Sequence, residues 1–224
     1  VNTNGLLSFR EGLPQWTPDP FPSSAPVVAP YWADVDLSRN HGHVTFFETQ
    51  DAQHLNRIND DIRSTFINSQ DFSARAAFVA TWKDVTYFGG SKRTDTNTFQ
   101  VLLVTDRVQT FAIFLYNELT WTTGTASKGD PISGLGGYAA QTGFNAGDGQ
   151  RYLAVVGSGT IAALNLKDTS NVGVPGKWIF RVGSSEIEPA GCSETGEASA
   201  SLLWLRREDR GVGIVAECQS CRGS

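Results

Sequence analysis

The residues best equipped for chemistry are few and gather early in the chain. Asp34-x-Asp36, followed by Ser38, Asn40 and Glu48, offers oxygen ligands of the kind calcium prefers. An EF-hand loop counted from Asp34 would need Gly at its sixth position and Glu at its twelfth. Those positions hold Arg39 and Thr45, which excludes that motif. Asp34, Asp36 and Glu48 stay as candidates for an irregular calcium site, set against turn-capping or solvated carboxylates. His41-x-His43 stands beside them, but a single intervening Gly42 suits a turn better than a zinc pair. No cofactor is expected.

Catalytic signatures are missing. There is no Gly-x-Ser-x-Gly, no His-Glu-x-x-His and no Walker sequence. Gly134-Leu-Gly-Gly137 and Gly143-Phe-Asn-Ala-Gly-Asp-Gly149 lack a following Lys-Ser/Thr and helix, so close backbone approach or β-bulges explain them better than a phosphate cradle. No carboxylate pair is singled out for glycoside hydrolysis. The chain is not expected to be an enzyme. Its cysteines, Cys192, Cys218 and Cys221, all lie near the C-terminus. Cys218-Gln-Ser-Cys221 has the gap of a redox or zinc pair, but no second such pair follows. A disulfide role is the expectation for the three, with metal binding and redox chemistry as alternatives. The odd count implies a missing partner or a free thiol.

The elements that must position these residues are mostly strands. Asn4-Gly5 before an apolar run signals a tight hairpin turn within residues 1–9. Pro14, Pro18, Pro20, Pro22 and Pro26 rule out a helix or central strand over 10–26 and predict a surface loop. Val27 to Val35 and His43 to Glu48 read as strands. Leu55, Ile58, Ile62 and Phe66 then form one apolar stripe at helical period, with Asp51 as cap and Arg57, Asn59, Asp60 and Arg63 opposite. From Ala77 to Phe88 the period turns to two. Runs at 98–105 and 110–116 flank a hairpin-length connection, and further strands are predicted at 119–122, 137–144, 151–156 and 177–182. The fold class is mainly β: an antiparallel β-sandwich with one amphipathic helix, about 51–66, packed on it. Periodicity fades after Gly183, so the domain is expected to span 1–185, with 186–224 a Cys-containing tail that starts another segment.

Composition narrows the function further. The 224 residues are 40% hydrophobic and 18% charged, which suits one folded domain and not a disordered chain. A net charge of −5 without a basic stripe argues against nucleic acid. No apolar run is long enough for a transmembrane helix. The chain has no Met and opens on Val1 inside a strand pattern, as expected of a processed piece or fragment. It also lacks an Asn-x-Ser/Thr sequon, so it need carry no N-glycan.

Several strings together resemble the nidogen-type (NIDO) extracellular domain, most closely its alpha-tectorin-like and sushi/nidogen/EGF-like members. They are Val1-Asn-Thr-Asn-Gly-Leu-Leu-Ser-Phe9, Val28-Ala-Pro-Tyr-Trp-Ala-Asp-Val-Asp36, Phe78-Val-Ala-Thr-Trp82, Val85-Thr-Tyr-Phe-Gly-Gly90, Asn97-Thr-Phe-Gln100, Trp121-Thr-Thr-Gly-Thr125, Gly143 to Gly149, Asn171 to Gly176 and Trp178-Ile-Phe-Arg181. The resemblance implies secretion into the extracellular matrix and a non-enzymatic role in cell–matrix adhesion and matrix assembly. It implies matrix proteins as partners and allows self-association within a multidomain parent. It supplies no catalytic or ligand residues. Trp32, Trp82, Trp121 and Trp178 are then expected in the core, and Asn145 and Asp148 in a bulged turn. A glycan-binding module, assisted by calcium at Asp34, Asp36 and Asn40, is the competing reading.

Overall fold

The computed structural model describes residues 1–38, 41–90, 94–183 and 186–190. Runs of β-branched and aromatic residues form eleven strands among them: β1 (Leu7–Ser8), β2 (Pro26–Trp32), β3 (Val35–Asp36), β4 (His43–Thr49), β5 (Ala76–Tyr87), β6 (Asn97–Thr105), β7 (Thr110–Glu118), β8 (Gln141–Ala146), β9 (Tyr152–Ala154), β10 (Lys177–Val182) and β11 (Ile187–Pro189). They pair antiparallel into a four-stranded sheet, β1-β2-β8-β9, and a seven-stranded sheet, β11-β10-β7-β6-β5, in which β3 and β4 both pair with β5. The expected β-sandwich is the observed one.

The two sheets face each other across an aromatic core. Phe114 and Phe180 of the larger sheet meet Phe144 of the smaller, with ring centroids 5.1–5.3 Å apart. Tyr116 Oη donates across the gap to the Pro30 carbonyl at 2.7 Å. The outer face of the larger sheet is apolar too. There helix α1 (Ala52–Thr65), capped by Asp51 at the Gln53 and His54 amides, lays Leu55, Ile58 and Ile62 over Ala77, Val79, Leu102, Ile113 and Ile179. Each buried aliphatic side chain contributes roughly 1.5–3 kcal/mol. The central strands are therefore buried on both faces, where alternation alone suggests one.

Several expectations change in detail. Asn59, placed on the polar face by its spacing, is buried and accepts a hydrogen bond from Ala74 N at 2.7 Å. Residues 119–122 form no strand, because their amides and carbonyls are taken by Asn97 and the Gly134 turn. The strand expected at 137–144 begins only at Gln141. The Pro-rich loop is more than surface: Leu13, Phe21 and Ala25 cover Leu6, Val27, Ala29 and Trp32 on the outer face of the smaller sheet. β11 carries the larger sheet past residue 185 and buries Ile187. Cys192, Cys218 and Cys221 lie outside the described residues.

Candidate functional site

The asparagines of the distinctive strings act as structural clamps. Asn97, fully buried at the start of β6, accepts from Thr120 N and Trp121 N and donates to the Trp121 carbonyl at 2.9 Å. Asn145 sits within β8 and not in the turn; its amide nitrogen reaches Ser23 O, Ser23 Oγ and Ala25 O, pinning the Pro-rich loop. Asn171 exchanges two hydrogen bonds with Ile179. Amide side chains suit this work because each carries a donor and an acceptor on one rigid plane. Asp148 does hold a turn, accepting from Gln150 and Arg151 amides. The Arg151 N–H groups hold its carboxyl down at about 2.

The tryptophans belong to the same framework. Trp32, Trp82, Trp121 and Trp178 are all buried. Trp82 stacks on Phe99 at 5.1 Å, and its indole N–H donates to the Asn2 and Thr3 carbonyls. Gly5 lets the N-terminal turn lie close against β2: with φ at +81°, an added Cβ would stand 1.9 Å from the Tyr31 carbonyl oxygen. None of these tryptophans offers a stacking platform to a sugar.

The acidic candidates separate. Asp34 and Asp36 sit together between β2 and β5, and both are buried. Asp36 Oδ1 accepts from Ser38 N and Oγ. Asp34 packs on the backbone of Gly124, where a Cβ would meet its Oδ2 at 2.5 Å, and that oxygen has no hydrogen-bond partner. Burial first, then the charge of Asp36, pushes the Asp34 carboxyl up to about 6, while the Ala126 N–H pulls the other way. Glu48 is exposed on β4 opposite Phe78, whereas Asp36 pairs with Thr86, eight residues further along β5. That spacing is roughly 25 Å. The three carboxylates are not brought together, and no group of three His, Cys, Asp or Glu side chains suited to a metal occurs among the described residues. A cleft of about 290 Å³ opens beside α1 along the row Thr81, Gln100, Leu115 and Lys177. Among its polar groups, Gln100 bonds Thr81 and Lys177 bonds Asp61.

One surface stands apart from this framework. β4 is an edge strand whose register with β5 runs from His43 opposite Lys83 to Thr49 opposite Ala77. Phe46 is 61% and Phe47 50% exposed, one on each face of the sheet. Among the described residues they are the two exposed large apolar side chains that lie on a β-strand. No backbone group outside β5 bonds to β4 among the described residues. Periodicity found the strand but not its exposure, because Val-Thr-Phe-Phe reads equally well as core.

The architecture is that of a β-sandwich module with an exposed edge strand. The chain belongs to the nidogen-like domain family, whose model matches residues 1–184. It is 46% identical to alpha-tectorin of Mus musculus over 223 residues, 97% of this chain and 10% of that protein. It is 37% identical to nidogen of Drosophila melanogaster over 227 residues, 97% of the chain and 16% of that protein. Nidogen-2 of Mus musculus is 31% identical over 201 residues, 82% of the chain and 14% of its own length. The chain thus spans only a small part of these relatives. No solved structure matches it. The nidogen and alpha-tectorin relatives are extracellular matrix proteins, so the chain is an extracellular matrix module. No helix among the described residues is long and apolar enough to cross a membrane.

Proposed function

We propose that this domain is a non-enzymatic module for cell–matrix adhesion and matrix assembly, acting through protein–protein contact. The observation that carries the reading is the division just described. The tryptophans and amide clamps of the distinctive strings are spent on folding, while Phe46 and Phe47 stand exposed on the β4 edge. An exposed apolar edge suits another protein better than a glycan. The net charge of −5 disfavours polyanionic glycosaminoglycans. A contact of this size is weak alone and effective when arrayed, since tethering raises avidity roughly 10²–10⁴-fold. The folding module is taken to run from residue 1 through β11, a few residues past the expected boundary at 185, with the Cys-containing segment after it beginning the next part of the parent.

The test is binding of the chain to matrix extract, comparing monomer with an Fc-dimerised form, with and without heparinase. The reading expects a signal far stronger for the array and unchanged by heparinase. Loss of signal after heparinase would overturn the choice of protein over glycan.

A further inference from the structure

We propose that Asp34 is a proton-held latch on the turn formed by residues 124–129. With the carboxyl protonated, the turn sits closed against the corner between β2 and β3; loss of the proton releases it. The latch belongs to the fold itself and holds whatever the module binds.

The packing leaves no comfortable place for an ionised Asp34. The residue is 4% exposed and lies against Gly124, where an added Cβ would meet Oδ2 at 2.5 Å and both Cβ and Cγ at 2.8 Å. The carboxyl accepts from the Ala126 N–H, but Oδ2 has no hydrogen-bond partner. A buried carboxylate oxygen without a donor costs the full loss of its hydration. The charges nearby do not offset that cost. From β3 comes Asp36, a like charge. On the turn itself, the Lys128 ammonium is drawn aside over the Tyr138 ring, 5.0 Å from its centroid. Asp130, just past the turn, caps the Ile132 and Ser133 amides. From β5, the Tyr87 hydroxyl donates to the Pro131 carbonyl. The N-terminal hairpin brings the neutral Asn4, which is held by Val35 N. Among the described residues, Asp36 is the charge that acts on Asp34. Burial and Asp36 together push the carboxyl up to about 6, so it keeps its proton in mild acid and loses it at neutral pH.

The turn yields before the strands do. The backbone of Asp34 is fixed by Phe88 N, which donates to its carbonyl at 3.0 Å, and by the Asn4–Val35 bond beside it. The 3-10 segment Thr125–Ser127 buries no apolar side chain. Lys128 follows it in the left-handed region at φ +65°, which is unfavourable for a residue with a Cβ. The turn is tied outward by polar bonds: Thr125 N to the Phe88 carbonyl, Tyr138 N to the Ser127 carbonyl, and Ser127 Oγ to Thr17 Oγ1. A segment held this way opens locally, well below the cost of unfolding the sheets. The same bonds give the opening its consequence. They lead to Phe88, to Tyr138 and, one residue before Thr17, to Trp16, all exposed. The latch therefore sets how this aromatic surface is presented, closed below about pH 6 and released above it.

The test is amide hydrogen exchange of the full 224-residue chain at pH 5 and pH 7.5, with each rate taken relative to unstructured peptide at the same pH. A closed carboxyl near 6 and an open one at the ordinary 3.8 predict that protection of the Thr125, Ser127 and Gly129 amides falls about tenfold between the two. The Gln150 and Arg151 amides, held by the distant Asp148 turn, should not change. Asp34→Asn, which keeps the shape of the protonated side chain, should hold the turn closed at both pH values. Gly124→Ala, whose Cβ displaces Oδ2, should open it already at pH 5. A parent turn indifferent to pH, a fall that persists in Asp34→Asn, or a Gly124→Ala turn as closed as the parent's would overturn the latch. So would turn amides as protected as those of β6 and β7 at pH 7.5, since the turn would then open only with the whole domain. Loss of protection on adding chelator at pH 7.5 would put a cation at Asp34 and overturn it as well.

Discussion

Asn97 and Phe46 lie two strands apart in one sheet and show two opposite uses of sequence. Asn97 is enclosed, and its amide satisfies three backbone groups of a segment that cannot pair as a strand. Phe46 is 61% exposed and touches little besides Phe78. The first lies in a string that marks the family, the second in one that marks nothing. What is recognisable in this chain is chiefly what folds it. The surface left for contact is written in ordinary residues.

Breaking the framework side of this contrast should cost most. Trp82→Ala removes a fully buried ring stacked on Phe99 and leaves the Asn2–Thr3 carbonyls without their indole donor. A loss of about 3–5 kcal/mol is expected from chemical denaturation. Asn97→Ala strands the Thr120 and Trp121 amides, while Tyr31 Oη still donates to the Trp121 carbonyl, for a loss of about 2–4 kcal/mol. A cost below 1 kcal/mol would remove the clamp from the account.

Asp34→Asn should act in the opposite sense. Its folded-state carboxyl titrates near 6, against an ordinary 3.8. The native state therefore holds a proton that the unfolded chain has released, and stability falls as pH rises from about 4 to about 6, then levels. Asn mimics the protonated form. The variant should lose that slope and gain on the order of 1–3 kcal/mol at pH 7.5. Destabilisation of the variant, together with a lower melting temperature of the parent in chelator, would instead revive calcium at Asp34 and Asp36.

The smallest stability effect belongs to the edge. Phe46→Ser and Phe47→Ser should each shift unfolding by no more than about 0.5 kcal/mol, as exposed substitutions do. A loss of several kcal/mol would make β4 part of the core and dissolve the contrast.

Much of the framework was legible in the sequence. Helical spacing of Leu55, Ile58, Ile62 and Phe66 placed α1, and alternation with turn residues placed the longer strands. The misses have physical causes. Thr120 to Thr122 have strand-like side chains but give their backbone groups to Asn97 and Gly134, partners no local pattern reveals. Asn59 looks polar until Ala74 N is brought to it from fifteen residues away. Asp34 and Asp36 are two residues apart in sequence and close enough in space for one charge to act on the other, whereas Glu48 is carried off along β5 by the β4 register. The exposure of Phe46 and Phe47 depends on which strand ends the sheet, and strand order is a property of the whole fold.

Backbone hydrogen exchange tests the division of labour most directly. The amides of β6 and β7, paired on both sides, should be strongly protected. The outward-facing amides of His43–Thr49, a strand paired with β5 alone, should exchange quickly. Outward-facing β4 amides as strongly protected as those of β6 and β7 would contradict the account.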